Sequence, residues 1–383
     1  MGMAFHSHPS LKEMLMNGEN TKETTGFWED VKSFFRSDLV SYIVKRILAI
    51  FPSLLLISFV IFIVIQLPPG DYVSAYIAKL QGQGEQMPPE VIAQLREDFD
   101  LDKPFLLQYW SWIKGIIWTP SNTSWYRLYH SHHNWKYSFS EGKPVWTVIK
   151  EYLPLTVGLT LSVMIFQYLV SIPLAVYSAT HQYSFGDYLL SFIGFIGAAV
   201  PGFILAIICM VLAYKWTGNP MVGLFSKEML ENGIHWNNLG EFLKRLIIPF
   251  IVLGLGGTCG TIRSIRAQML DEISQPYTLT ARAKGVSESK IIWKYCFRAA
   301  INPTVTSLGT SLSHLFSGST VSAMVLNIMI LGPVLYEALL SQDMYLAGAI
   351  VMVQAFLVEV GILLADIGLA FLDPRIRFSG GSR

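Results

Sequence analysis

Long apolar runs alternate along this chain with polar stretches of unequal length. Six runs, at 46–67, 155–179, 189–214, 246–266, 304–326 and 347–372, are apolar for long enough to cross a bilayer. A span needs about 20 such residues, because hydrocarbon offers the backbone no water and a helix bonds its own amides. The pattern predicts an all-α polytopic membrane protein with six transmembrane helices.

The polar stretches set the organisation: an N-terminal extension at 1–40, a first span at 41–67, an outer loop or cap at 68–152, a core at 153–372 holding the other spans, and a tail at 373–383. In the extension, Phe27, Trp28, Phe34 and Phe35 stand among charges of both signs at roughly helical spacing, as in an interfacial helix; a solvated tail is the alternative. In the outer loop, Pro88-Pro89-Glu90 followed by Val91, Leu95, Phe99 and Leu101 predicts a proline-started amphipathic helix, and 104–117 a second. The irregular stretch with Trp125, Tyr126, Tyr129 and Trp135 predicts a small cap, since so few aliphatic residues make a meagre core.

Composition agrees with the membrane class: 52% of the 383 residues are hydrophobic and 14% charged. The net charge of +1 gives no field that would attract nucleic acid. Placement of the charges matters more. Lys45 and Arg46 precede the first span, seven basic residues against three acidic ones fill 263–298, and Arg375 and Arg377 follow the last span. Lys and Arg near span ends stay on the cytoplasmic side, and an even span count puts all three regions there. Both termini and the 271–303 loop are therefore expected in the cytoplasm and 68–152 outside, although the inner loop at 180–188 has no Lys or Arg. No cleavable leader is expected ahead of the first span. Cys209, Cys259 and Cys296 are isolated, and neither a disulfide nor a metal site is expected of them.

The 271–303 loop carries the most specific pattern. Pro276 can open a helix, Ala281 and Ala283 are small, Gly285 permits a left-handed turn, and a second helix can begin at Ser287. Small residues let another protein approach closely, while Arg282, Lys284 and Glu288 offer charge at the rim. This suits a short helix that plugs into a partner. No G-x-x-x-x-G-K-[ST] phosphate loop occurs in the chain, so any ATP would be hydrolysed elsewhere.

Thr280-Ala281-Arg282-Ala283-Lys284-Gly285, with Arg298, Ala300 and Pro303 downstream, resembles the "EAA" ATPase-docking loop of type I ABC importer permeases of the oligopeptide, dipeptide and nickel family. Leu279 and Pro276 depart from that pattern. Other stretches are similar in order: Tyr42 to Arg46, Pro68-Pro69-Gly70-Asp71, Leu101-Asp102-Lys103-Pro104, and Leu372-Asp373-Pro374-Arg375. Near 328–333, where that family has W-P-G-x-G, only Gly332 remains. The resemblance implies a permease fold with a cytoplasmic coupling helix, in a bacterial or archaeal cell membrane. It also implies two ABC ATPase subunits that bind ATP and Mg, a second homologous permease, and an extracytoplasmic solute-binding protein. This chain would hold no cofactor and no catalytic residue, and its cargo would be peptide, with nickel chelates or oligosaccharides as alternatives within the family.

Polar residues inside the spans are the other candidates. Ser307, Thr310, Ser311, His314, Ser317 and Gly318 recur at helical spacing along the fifth span. Such a stripe can line a translocation path, offering hydroxyls to peptide groups, or let helices pack closely. Glu359 and Asp366 lie in the sixth span, where ionised groups face an interior or a cavity; Glu359 is a candidate for substrate or gate contact and Asp366 for a structural pair. Gly194, Gly197, Ala198 and Gly202 beside Pro201 suit close packing with a kink. His130, His132 and His133 lack companion ligands at metal spacing. An ion-coupled carrier using Glu359 or Asp366 is the rival from another class; it predicts inverted repeats, which the sequence does not show, and leaves the loop unexplained.

Overall fold

The structure, a computed structural model, describes residues 38–67, 88–98, 102–117, 137–218 apart from 139, 222–232 and 238–372, with isolated positions between them. The aromatic stretch at 27–36, the 118–135 insertion with its three histidines, and the 373–383 tail lie outside the described residues.

Among the described residues the protein is a helical bundle with one minimal hairpin. The first described helix is α1 (Asp38–Gln66), followed by α2 (Pro89–Asp98) and α3 (Phe105–Ile117). Helices α2 and α3 fall where the sequence pattern predicts them. Strands β1 (Tyr137–Ser138) and β2 (Lys143–Pro144) pair antiparallel, with Tyr137 opposite Pro144, and lead into α4 (Val145–Thr180). Then come α5 (Phe185–Ala199), α6 (Gly202–Thr217), the short α7 (Lys227–Asn232) and the long α8 (Leu239–Ile273). The loop holds α9 (Pro276–Ala283) and α10 (288–300), whose centre, Ile291–Cys296, is wound as a π-helix. Three pieces follow, α11 (Asn302–Thr306), α12 (Leu308–Gly318) and α13 (Thr320–Val325), then α14 (Leu331–Leu340) and α15 (Met344–Leu372).

Helices α1, α4, α8 and α15 are each long and apolar enough to cross a membrane, and α5 with α6 adds a fifth crossing if the bent pair is one span. The chain is thus a multi-pass membrane protein. Two expected spans differ from simple rods. The third bends by 107° between α5 and α6. Pro201 has no amide hydrogen and forces the preceding residue out of the helical region, and Val200 accordingly sits at φ −84°, ψ 120°. The fifth is divided at Ser307 and Ser319, where ψ relaxes to 0° and −11°. Their hydroxyls donate back to Thr304 O at 2.9 Å and Leu315 O at 2.5 Å, the kind of local bond that competes with helix amides and bends the rod.

The core is distributed in three apolar clusters met successively along α4. Val145, Val148 and Ile149 pack with Trp112, Phe62, Leu331 and Leu346; Leu159 and Val163 with Val252, Ala206 and Leu326; Ala175, Val176 and Ala179 with Ile265, Met269, Ile291 and Cys296. Helices α4 and α8 run closely together because small residues meet the larger ones. Gly254 faces Val163 and Phe166, and a Cβ on Gly257 would lie 2.4 Å from Gln167 Oε1. Gly197 likewise seats Cys259, whose Sγ would be 2.8 Å from an added Cβ, so this part of the small-residue face serves packing.

Two polar anchors hold the starts of α14 and α15. Buried Asp343 caps α15 through Leu346 N–H at 3.1 Å, and its other oxygen accepts from Ser138 Oγ at 2.6 Å and Ser140 N–H at 3.1 Å. Thr156 Oγ1 accepts the Leu331 amide at 2.9 Å, satisfying one orphan donor at the start of α14.

Candidate functional site

The 271–303 loop is a helix, a tight turn and a second helix, as its residues predict. Gln275 lies extended, and Pro276, which lacks the amide that a first helical turn leaves unused, starts α9. Gly285 ends it at φ +72°. Its amide reaches Arg282 O at 2.9 Å and the Val286 amide reaches Ala281 O at 3.1 Å, the paired closure that only a left-handed residue makes. Arg282 then grips Glu288 across the turn, Nη2 to Oε1 at 2.6 Å and Nε to Oε2 at 3.1 Å. That guanidinium holds the Glu288 carboxyl below the usual carboxylate range. At the other end of the helix, burial and the Glu272 carboxylate, 2.5 Å away, push the Tyr277 phenol above its usual value.

The two faces of α9 differ. Thr278 and Ala281 are buried and turn toward the cluster that includes Ala175, Ile265 and Ile291. Tyr277, Leu279, Thr280, Arg282, Ala283, Lys284 and Gly285 are exposed, as is Glu288 beyond the turn. Ala281, read from the sequence as part of a docking surface, is thus a seat on this chain's own core. Leu279, where the sequence departs from the family pattern, is 59% exposed and is the large apolar side chain of the outward face together with Tyr277.

Sequence reasoning missed the strut beneath this loop. Asp187 in the first turn of α5 receives both Nε and Nη2 of Arg266 on α8, and Ser178 on α4 donates to it as well. The local signal was present in Ser184, which caps the Asp187 amide at 3.2 Å, but nothing local points to an arginine 79 residues away.

A second candidate lies between the helices: a cleft of about 500 Å³ bounded on one side by α4 and α8 and on the other by α11 to α13. Ser307, Ser311 and His314 of the predicted stripe line it, joined by Gln167, Thr261, Ser264, Thr304, Ser319 and Ser322. Gly202, Gly256, Gly257 and Gly260 leave bare backbone along its wall. Thr310 is outside this lining, and Ser317's side chain lies outside the described residues. Glu359 is not in the cleft. It faces α1 in a separate recess of about 210 Å³ with Arg46, Ser53 and Asp366, where Ser53 Oγ donates to it at 2.8 Å. Arg46 pairs with Asp366 at 3.1 Å, which gives Asp366 the structural partner expected of it.

Loop and cleft both fall within residues 171–378, apart from Gln167, and that stretch matches the family described as binding-protein-dependent transport system inner membrane component. Residues 39–160 match the N-terminal region of the same class of membrane component. The chain belongs to this family. Among its relatives, the oligopeptide transport system permease protein AppB of Bacillus subtilis (strain 168) is 31% identical over 341 residues, 89% of this chain and 100% of the relative. The dipeptide transport system permease protein DppB of Alkalihalophilus pseudofirmus is 26% identical over 354 residues, again 89% of this chain and 100% of the relative. The inner membrane ABC transporter permease protein YejB of Escherichia coli O157:H7 is 27% identical over 378 residues, 89% of this chain and 99% of the relative. As a binding-protein-dependent membrane component, the chain is a transport subunit and not itself the ATPase.

Proposed function

We propose that this chain forms half of the translocation path of an ATP-driven peptide importer. The observation that carries the reading is the full-length likeness to permeases named for oligopeptide and dipeptide transport. In this reading the bent α5–α6 pair is one span and 302–326 another, giving six with both termini and the 271–303 loop in the cytoplasm. The 1–40 extension lies on that side too, 68–152 caps the outer mouth, and 153–372 is the permease core. Helix α9 is the coupling helix, and its outward residues Thr280, Arg282, Ala283, Lys284 and Gly285, with Glu288, meet one of two ABC ATPase subunits that bind ATP and Mg. A second homologous permease completes the pore, and a solute-binding protein delivers cargo from outside.

The cleft's hydroxyls supply hydrogen bonds to a peptide without demanding particular side chains. Its single imidazole, unaccompanied by thioether or carboxylate, favours peptide over a nickel chelate. Switching the cleft between two openings requires states that differ in their contacts, and closure of the ATPases on α9 supplies that bias. Reconstitution in proteoliposomes tests the whole: uptake of labelled peptide that needs ATP, both ATPases and the binding protein is expected. Uptake driven by a proton gradient with no ATPase present would overturn it.

A further inference from the structure

We propose that Thr304, working with Gln167 across the cleft, is a binding site for the main-chain amides of the transported chain. The inference rests on the peptide reading above and names the residue that recognises the cargo.

Three hydroxyls of the cleft already donate to helix carbonyls. Ser307 donates to Thr304 O at 2.9 Å, Ser311 to Ser307 O at 3.0 Å, and Ser319 to Leu315 O at 2.5 Å. Thr306 and Thr310, on the same pieces of helix, also bond back to Asn302 O at 3.0 Å and Ser307 O at 2.8 Å. Thr304 does not follow them. It is 5% exposed, lines the cleft, and its Oγ1 makes no hydrogen bond. A buried hydroxyl without a partner is costly, and its neighbours show that the ordinary remedy of bonding back to the helix is available in this segment.

Gln167 stands on the opposite wall, 3% exposed. Its Nε2 donates to Thr261 Oγ1 at 3.0 Å, and the missing side chain of Gly257 leaves its amide just enough room. Thr261 Oγ1, used there as an acceptor, keeps its own proton to give. The cleft therefore pairs one hydroxyl that can donate or accept with a fixed amide–hydroxyl unit facing it. Gly260, also on the lining, leaves space: a Cβ there would meet nothing within 4 Å.

A ligand that fits must be narrow, carry donors and acceptors at short intervals, and need no countercharge, because among the described residues no Asp, Glu, Lys or Arg lines the cleft. An extended peptide backbone has this chemistry. An oligosaccharide matches it less well, since its apolar ring faces call for aromatic side chains and none is among the described residues that line the walls.

The test is ATP-dependent uptake by the reconstituted complex of a short alanine peptide and of the analogue in which one amide is replaced by an ester. A site built to bond an N–H discriminates against the analogue that lacks it. The wild-type complex is expected to prefer the amide, and Thr304→Val, which keeps shape and removes the hydroxyl, to lower that preference by roughly three- to tenfold, the worth of one hydrogen bond. Thr304→Ser should keep it. The preference is a ratio within one preparation, so a smaller yield of folded complex does not move it. Gly260→Leu is a second probe, expected to cut uptake of both compounds by filling the cleft from its empty side. Peptide uptake with an unchanged ratio in Thr304→Val overturns the site and leaves the peptide importer standing. A wild-type complex that imports oligosaccharide and no peptide overturns both.

Discussion

Arg266 and Asp187 form a two-pronged ion pair, Nε to Oδ1 and Nη2 to Oδ2 at 2.8 Å each, that ties α8 to the first turn of α5. Asp187's side chain is 3% exposed, so its charge is desolvated and answered chiefly by this one guanidinium, with Ser178 and the Tyr183 amide filling its remaining sites. Arg266 also donates to Ser178 Oγ at 3.0 Å, which draws in the end of α4. The basic charge lacking in the 180–188 loop is thus supplied to its end by α8.

Removing one partner strands the other. Arg266→Ala is expected to destabilise the protein by about 3–5 kcal/mol, as for buried pairs that lose one member. Asp187→Leu combined with Arg266→Met should lose much less than the sum of the single changes. Thermal unfolding of the wild type, Asp187→Leu, Arg266→Met and the double variant in nanodiscs completes the cycle, and simple additivity would show that the pair is not coupled.

In the proposed reading, the two faces of α9 separate docking from folding. Leu279→Glu, on the outward face, is expected to change stability by no more than about 0.5 kcal/mol while abolishing co-purification of the ATPase subunits. Ala281→Glu, which puts a carboxylate among Ile265, Ile291 and Cys296, should instead loosen the loop itself. Amide exchange over 276–300 distinguishes them; an unaltered complex with Leu279→Glu would place the interface elsewhere.

The Arg282–Glu288 bridge makes the turn sensitive to acid. Because the folded Glu288 carboxyl titrates below its unfolded value of about 4.3, its contribution is present above that pH and is lost as pH falls through the lower folded value. Protection of the Gly285 and Val286 amides should therefore drop under acid conditions, and Glu288→Gln should flatten that dependence. Salt should weaken the same protection, since both partners are solvated.

Glycines of the bundle differ in what they permit. A Cβ on Gly309 would lie 2.3 Å from Ile362 Cγ1 and 3.0 Å from Ile362 Cα, so Gly309→Ala forces α12 away from α15. A cost of about 1–3 kcal/mol is expected. Gly158, on the exposed face of α4 with nothing within 4 Å, should gain up to about 1 kcal/mol as alanine. Unfolding temperatures of the two variants moving the same way would contradict this packing.

What the sequence determines by itself is local or cumulative. Length and apolarity suffice for α1, α4, α8 and α15, since a long run lacking polar groups has few other ways to satisfy its backbone in lipid. Pro276 and Gly285 suffice for the helix and turn of the 271–303 loop, because proline geometry and a left-handed φ act within a few residues. What only the tertiary structure decided depends on partners far along the chain. Pro201 foretold a kink, but its 107° size depends on how α5 and α6 pack on α8. Helical spacing puts Ser307, Ser311 and His314 on one stripe, yet whether that stripe meets a cleft depends on α4 and α8 standing opposite. Ala281 turned inward and Glu359 turned to Ser53 because the direction a side chain takes is set by which helix packs beside it. The unpartnered hydroxyl of Thr304 is the same kind of fact. Any threonine in a helix can bond its own backbone, and only the folded bundle shows that buried Thr304, like Thr258 on α8, does not.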